Sequence, residues 1–221
     1  PCKIIAVTGS DGKTTTTSLI YEMLKAAGYT CHLGGNIGKP LVAEVGDIKA
    51  DDVCVVELSS FQLHTMKRSA DIAVVTNVTP NHLDWHTDFD EYKNSKKAVF
   101  KYQKSGGRVV LNYDNDITRE FGKETDNAVY FSRKEILDNG FCLIGDKVVR
   151  RINGRDEREV LDINNIFIPG MHNVENYMAA AAAVEGLAED GIIRRTAIDF
   201  KGVPHRIEFI REVDGVKYYN D

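Results

Sequence analysis

Lys3-Ile-Ile-Ala-Val-Thr8-Gly9-Ser10-Asp11-Gly12-Lys13-Thr14-Thr15 is an apolar run that ends in a turn bracketed by two glycines and followed at once by Lys-Thr-Thr. Gly9 and Gly12 let the backbone turn its N–H groups toward an anion, and a helix starting near Lys13 adds the positive end of its dipole. The stretch from Gly9 to Thr15 therefore reads as a phosphate-binding loop, with Lys13 reaching the outer phosphates and Thr14 ligating Mg²⁺. The usual pattern G-x-x-x-x-G-K-S/T needs glycine at position 7, where this chain has Val7, so the loop is not a standard Walker A. An ordinary strand-turn-helix joint is the competing reading. The strand before the loop, the amphipathic stretch Thr16–Ala27 after it and Gly28 as a helix stop favour phosphate binding.

Outward from this loop, strand-like runs at Ile4–Thr8, Val53–Glu57, Ile72–Val78 and Val109–Leu111 alternate with helical patterns at Thr16–Ala27, Lys39–Val45, Phe89–Lys101 and Ile117–Phe121. That alternation predicts an α/β fold, a mostly parallel sheet with helices on both faces. From about Val129 to Ile168 the texture changes to short strands with glycine turns, at Phe141–Ile144, Lys147–Ile152 and Glu159–Ile163, which predicts antiparallel hairpins inserted on the sheet's edge. Arg150, Arg151, Arg155 and Arg158 are interleaved with acids there and read as a solvated face. The run Asn173–Glu189 predicts a helix whose segment Ala179–Ala183 packs closely and is buried. After Gly202-Val203-Pro204 comes a hairpin pattern, Ile207–Arg211, Asp214-Gly215 and Val216–Tyr219. Two strands are too few to be stable alone, and the chain starts at Pro1, so the expectation is a fragment of a longer polypeptide.

Composition narrows the function classes. A length of 221 residues with 43% hydrophobic content supports one substantial core with room for a small appendage. No run approaches the length of a membrane span and no secretion-signal layout is visible, so a cytoplasmic location is the default. Cys2, Cys31, Cys54 and Cys142 are scattered without C-x-x-C spacing and suggest neither disulfides nor a zinc site. A net charge of −5 argues against general nucleic-acid binding, so phosphate recognition must be local.

Other clusters carry chemistry. Glu57-Leu-Ser59-Ser60 closes the second predicted strand, at the carboxyl end where open α/β sheets bind ligands. Glu57 there is a candidate Mg²⁺ ligand, with a solvent-facing strand end as the alternative. Thr76-Asn-Val-Thr-Pro-Asn-His82-Leu-Asp84 occupies the corresponding loop after the third strand, and His82 is a candidate metal ligand from the same crevice. Among Lys93, Lys96, Lys97 and Lys101, composition singles out none. Asn173 and Asn176 lie three apart on one helix face, where ligand binding competes with capping and solvent exposure.

Taken in order, Thr8–Thr15, Gly35-Asn-Ile-Gly38, Glu57-Leu-Ser-Ser-Phe-Gln-Leu63, Asn77–Asp84, His172-Asn-x-x-Asn176 and His205-Arg206 resemble the Mur ligases, ATP-dependent amide-forming enzymes of peptidoglycan precursor synthesis. The resemblance covers Lys3 to Asp221. Within the family, Glu57–Leu63 together with Gly35–Gly38 is typical of members that add D-glutamate to UDP-N-acetylmuramoyl-L-alanine. Asp11 departs from the asparagine that many members carry, at a position that mainly shapes the turn. The resemblance implies that residues 1–203 form the central ATP-binding domain, with the hairpin insertion at about 129–168. It also implies that 204–221 begin a truncated C-terminal ligase domain and that the N-terminal UDP-binding domain is absent.

It further implies roles for single residues. Lys13 and Thr14 bind the ATP phosphates and a first Mg²⁺ whose shell Glu57 completes. Asn36, Ser59 and His82 face the muramoyl substrate, and His82 also ligates a second Mg²⁺. Lys96, by its spacing after Tyr92, matches a lysine that the family carbamylates to make an anionic metal ligand. Asn173 and Asn176 match positions near the adenine, and Arg206 and Asp221 match further nucleotide contacts. The implied partners are UDP-N-acetylmuramoyl-L-alanine and D-glutamate, with no nucleic acid or membrane and a monomer as default, and the fragment is expected not to ligate by itself. Two rivals stay open: a folate-glutamylating relative, disfavoured by Ser59-Ser60-Phe61-Gln62 and Gly35–Gly38, and a nucleotide-binding module without catalysis.

Overall fold

The computed structural model describes residues 2–38, 40–80, 85–203 and 208–220. Its first half runs β1 (Lys3–Thr8), α1 (Lys13–Ala26), β2 (Cys31–Gly35), β3 (Val53–Glu57), α2 (Ser60–His64), β4 (Ile72–Val75), α3 (Phe89–Lys97), β5 (Arg108–Asn112) and α4 (Asp116–Phe121). Then follow β6 (Ala128–Ser132), β7 (Gly140–Ile144), β8 (Lys147–Ile152), β9 (Asp156–Asp162), α5 (Met171–Val184), α6 (Asp190–Asp199), β10 (Glu208–Val213) and β11 (Val216–Asn220).

A nine-stranded sheet of order β2-β3-β1-β4-β5-β6-β7-β8-β9 forms the frame. Every pairing from β2 through β7 is parallel, and β7-β8-β9 extend the edge antiparallel. The central strands divide their side chains between two cores with the two-residue period of a strand. Ile5, Val7, Ile72 and Val74 enter one core with α1, α5 and α6, while Ala6, Ala73 and Val75 enter the other with Leu63, Tyr92 and Phe121. Helices therefore cover both faces, as the alternation predicts. Leu19, Ile20, Met23 and Leu24 of α1 are fully buried, and truncating one such side chain to alanine costs about 2–5 kcal/mol. α1 ends in a Schellman motif: Gly28 takes φ 91°, its N–H donates to Lys25 O, and Tyr29 N–H donates to Leu24 O at 3.1 Å.

Several elements depart from the sequence expectations. β2 was not expected, because Cys31-His-Leu-Gly-Gly lacks a strand pattern of its own and gains its ladder only from β3. The helix expected at Lys39–Val45 is reduced to a 3₁₀ turn, Leu41–Ala43, between Pro40 and Gly46, and Lys39 lies outside the described residues. Within the expected hairpin region, β6 belongs to the parallel sheet, so antiparallel pairing begins only at β7 and β8. α5 stops at Val184 rather than Glu189. The Arg108 guanidinium donates to the carbonyls of Ala182, Ala183 and Glu185 and so satisfies the helix end. Ala179–Ala183 are completely buried, as expected. α6 follows, unpredicted.

β10 and β11 form the expected hairpin around Asp214-Gly215. Cys2 and Cys54, far apart in sequence, bring their sulfurs to 3.4 Å. Among the described residues no helix is long and apolar enough to cross a membrane.

Candidate functional site: a phosphate loop beside a buried carboxylate

The loop at the tip of β1 is held in shape by its neighbour strand. Thr76 N–H donates to Thr8 O, Ser10 N–H donates to Asn77 O, and Asp11 N–H donates to the Asn77 Oδ1 at 2.9 Å. Thr76 Oγ1 donates to Asp11 O at 2.6 Å. Both glycines are required by space as well as by dihedral angle. A Cβ on Gly9 (φ 154°) would stand 1.9 Å from Thr76 Oγ1, and one on Gly12 (φ 76°) would stand 2.3 Å from Asn176 Oδ1. α1 starts directly after Gly12 with no side-chain cap among the described residues, and its first residues, Lys13, Thr14 and Thr15, line the cavity in front of the loop. That cavity, about 210 Å³, is lined by Ser10, Asp11, Gly12, Lys13, Thr14, Thr15, Asn36 and Glu57. Lys13 Nζ donates to Ser10 O at 2.9 Å, folded against its own loop.

Glu57 is the last residue of β3, in register with Val7 of β1 and Gly35 of β2. Its side chain is 1% exposed. Asn36 Nδ2 donates to Oε1 at 2.8 Å, and Asn36 N–H donates to the Glu57 carbonyl, also at 2.8 Å. Gly35 permits this approach, since a Cβ there would meet Glu57 O at 2.1 Å. Oε2 is buried with no hydrogen-bond partner among the described residues. A buried carboxylate oxygen left without a donor carries an unpaid desolvation cost, and a cation in the adjoining cavity removes it. The oxygen donors Thr14 and Glu57, next to a phosphate loop, fit Mg²⁺, a hard ion usually held by one or two protein oxygens plus phosphate.

Lys96 lies behind the loop. α3 buries it to 1% exposure, Nζ donates to Gly9 O at 2.8 Å, and the ammonium stands 4.5 Å from the centre of the Tyr92 ring. Desolvation first, and then the charge of Lys13, lower its pKa to about 7, against an opposing pull from Asp11. Tyr92 ties α3 to the loop through its hydroxyl, 2.9 Å from Ser10 Oγ, and burial raises its pKa.

Asn173 and Asn176 are buried struts, which removes solvent exposure as their explanation. Asn176 Oδ1 accepts from Thr16 Oγ1, its amide donates to Asn173 Oδ1, and the Asn173 amide donates to Pro169 O at 2.7 Å. Ser59 is the N-cap of α2 in a capping box with Gln62. The structure thus gathers the loop, Asn36 and Glu57 around one cavity, with Lys96, Asn173 and Asn176 bracing the loop and Ser59 two residues beyond Glu57. His82, Arg206 and Asp221 lie outside the described residues. Sequence reading missed the support given by Thr76, Asn77 and Tyr92. The first two lie in a motif already singled out, but their bonds to the loop span more than sixty residues.

A family profile described as the Mur ligase middle domain matches residues 7–184. The chain belongs to the Mur ligase middle-domain family. Curated relatives named UDP-N-acetylmuramoylalanine--D-glutamate ligase include those of Acetivibrio thermocellus, 56% identical, and Clostridium novyi, 51% identical, each over 100% of this chain and 47% of the relative. The chain spans about half the length of the curated relatives it matches. Among solved structures, a UDP-N-acetylmuramoyl-L-alanyl-D-glutamate--2,6-diaminopimelate ligase superposes with a TM-score of 0.75 at 22% identity, over 97% of this chain and 49% of that one. A pseudomurein peptide ligase type C from Methanothermus fervidus gives 0.69 at 23% identity, over 95% and 52%. These two support the fold, mostly parallel α/β with a small antiparallel part.

Proposed function

We propose that this chain is the ATP-binding domain of a ligase that adds D-glutamate to UDP-N-acetylmuramoyl-L-alanine. The observation that carries the reading is the orphaned Oε2 of buried Glu57, beside an uncapped helix N-terminus in a cavity sized for phosphates. The D-glutamate assignment draws on the relatives' names and on Glu57–Leu63 with Gly35–Gly38.

In this reading residues 9–15 cradle the ATP phosphates with backbone amides, and Lys13 swings from Ser10 O to the outer phosphates. Thr14 and Glu57 hold a Mg²⁺ ion, which when bound neutralises phosphate charge. Asn36 fixes the carboxylate through Oε1 and leaves Oε2 for the ion. Asn36, Ser59 and His82 face the muramoyl substrate, Arg206 and Asp221 complete the nucleotide site, and Asn173 and Asn176 serve that site from behind, as the struts that hold Thr16 of α1 and the loop in place. An oxygen of the substrate's alanyl carboxylate attacks the γ-phosphorus, the bond to the bridging oxygen breaks, and ADP leaves. The amine of D-glutamate then attacks the acyl carbon, loses a proton and expels phosphate. No protein nucleophile is needed, so the chain's part is positioning and charge neutralisation.

Lys96 has the properties of a carbamylation site. With a pKa of about 7, half its amine is neutral at pH 7, against roughly three in ten thousand for an ordinary lysine. The neutral nitrogen attacks the carbon of CO₂ and loses a proton to solvent, which leaves an anionic carbamate. Lys96 in that form would hold a second Mg²⁺ through oxygen, together with His82, and add to the neutralisation of phosphate charge.

Phosphate release by the full-length protein, measured with UDP-N-acetylmuramoyl-L-alanine and a panel of amino acids, tests the proposal. Release that needs D-glutamate, falls with Lys96→Ala and is partly restored by a short carboxylic acid supports it. Release indifferent to the amino acid and to Lys96 overturns it in favour of a nucleotide switch.

A further inference from the structure

On the far side of Tyr92 from the phosphate loop, three side chains converge from separate parts of the chain. His64 ends α2, His86 precedes α3, and Glu91 lies in the first turn of α3. His64 Nε2 is 3.7 Å from Glu91 Oε1, and His86 Nδ1 is 3.8 Å from Glu91 Oε2. All three donor atoms lie within 4.8 Å of one another. We propose that His64, His86 and Glu91 form a binding site for a borderline transition-metal ion of the zinc type, separate from the magnesium site at Glu57.

The donor set selects the metal. Two imidazole nitrogens and one carboxylate suit zinc, whereas magnesium prefers oxygen ligands only. Tetrahedral zinc, with bonds of about 2.0–2.1 Å, places its donors about 3.3 Å apart. The two short pairs must therefore close by about half an ångström, and any pair near the 4.8 Å limit by up to about 1.5 Å, which rotation of the exposed His64 and of the partly exposed Glu91 carboxylate toward the fixed His86 ring can supply.

An independent feature points the same way. The ring of His86 is fully buried and oriented from behind, with Nε2 3.0 Å from Ser60 Oγ, so that Nδ1 is the nitrogen turned to the carboxylate. Such an outer partner on the second ring nitrogen is what fixes a metal-binding histidine. Phe61 stacks on the same ring at 5.8 Å, and the Trp85 edge meets it at 4.7 Å, which gives the site an apolar wall. His64 and Glu91 are both partly exposed, leaving a fourth position for water and a route of entry. A bound ion would pin α2 to α3. It would also brace Tyr92, whose ring is 5.3 Å from His86 and whose hydroxyl reaches Ser10 of the loop.

The test is zinc titration of the metal-free chain against a chromophoric chelator, with X-ray absorption on the loaded sample. The expected result is one ion per chain, an all-nitrogen-and-oxygen shell with two imidazoles, and at least about tenfold weaker binding in His64→Gln. That substitution sits at an exposed position, so an unchanged melting curve in chelator verifies its fold. A Cys2→Ser, Cys54→Ser double variant should bind as the parent does. Sulfur in the shell, binding lost with the cysteines, binding unchanged in His64→Gln, or no stoichiometric binding overturns the proposal.

Discussion

Lys96 makes a quantitative test of the packing around the phosphate loop. Its amine titrates near 7 in the folded chain against 10.5 for an ordinary lysine, chiefly because α3 buries it. Since the folded-state value is the lower one, the unfolded chain binds more protons between those two pH values, and stability rises with pH across that window. Below pH 7 the ammonium is charged in both states and its burial cost is at its largest, roughly 5 kcal/mol for a shift of that size. At pH 7 the cost is about 4 kcal/mol and at pH 9 about 2 kcal/mol, so raising the pH from 7 to 9 recovers about 2 kcal/mol through this one residue. Lys96→Met fills the same space without a titrating group. Urea unfolding in CO₂-free buffer at pH 7 and pH 9 should show the parent gaining about 2 kcal/mol more than the variant, because every other titrating group is common to both. Equal pH dependence in the two proteins would refute the claim that Lys96 is buried as a strained cation.

Gly12→Ala should weaken ATP binding by at least tenfold and destabilise the chain by about 1–3 kcal/mol, because the new methyl meets Asn176 Oδ1 at 2.3 Å in a left-handed conformation; calorimetric titration and urea unfolding read both effects. Ala181→Leu, in the fully buried stretch of α5, should cost about 1–3 kcal/mol by overpacking. Its urea midpoint should fall, and an unchanged midpoint would mean that α5 does not pack on the sheet as described.

What the sequence disclosed was mostly local. β1, the loop and α1 are legible because apolar periodicity, two glycines and a Gly28 stop all act within a few residues. β2 escaped because its hydrogen bonds come from β3 and its Gly35 serves the approach to Glu57. The end of α5 is set by Arg108, more than seventy residues earlier, so no helix-stop signal near Glu189 marks it. Glu57 was legible as a strand-end acid. Its orphaned oxygen was not, since burial and the Asn36 bond are products of the assembled sheet. Lys96 stood out only through family resemblance, because nothing in a lysine-rich helix says which ammonium the loop will cover. His64, His86 and Glu91 are separated by up to 27 residues and meet only when α2 packs on α3.

The central claim is that a triphosphate settles at the tip of β1 with its magnesium ion on Glu57. It is tested most directly by titrating ATP into the parent chain and into Glu57→Gln, each with and without Mg²⁺. The account predicts that Mg²⁺ tightens binding by about tenfold or more in the parent and that this gain disappears in the variant, while metal-free ATP binds both alike. An equal magnesium effect in the two proteins, or ATP binding that ignores magnesium in both, would contradict it.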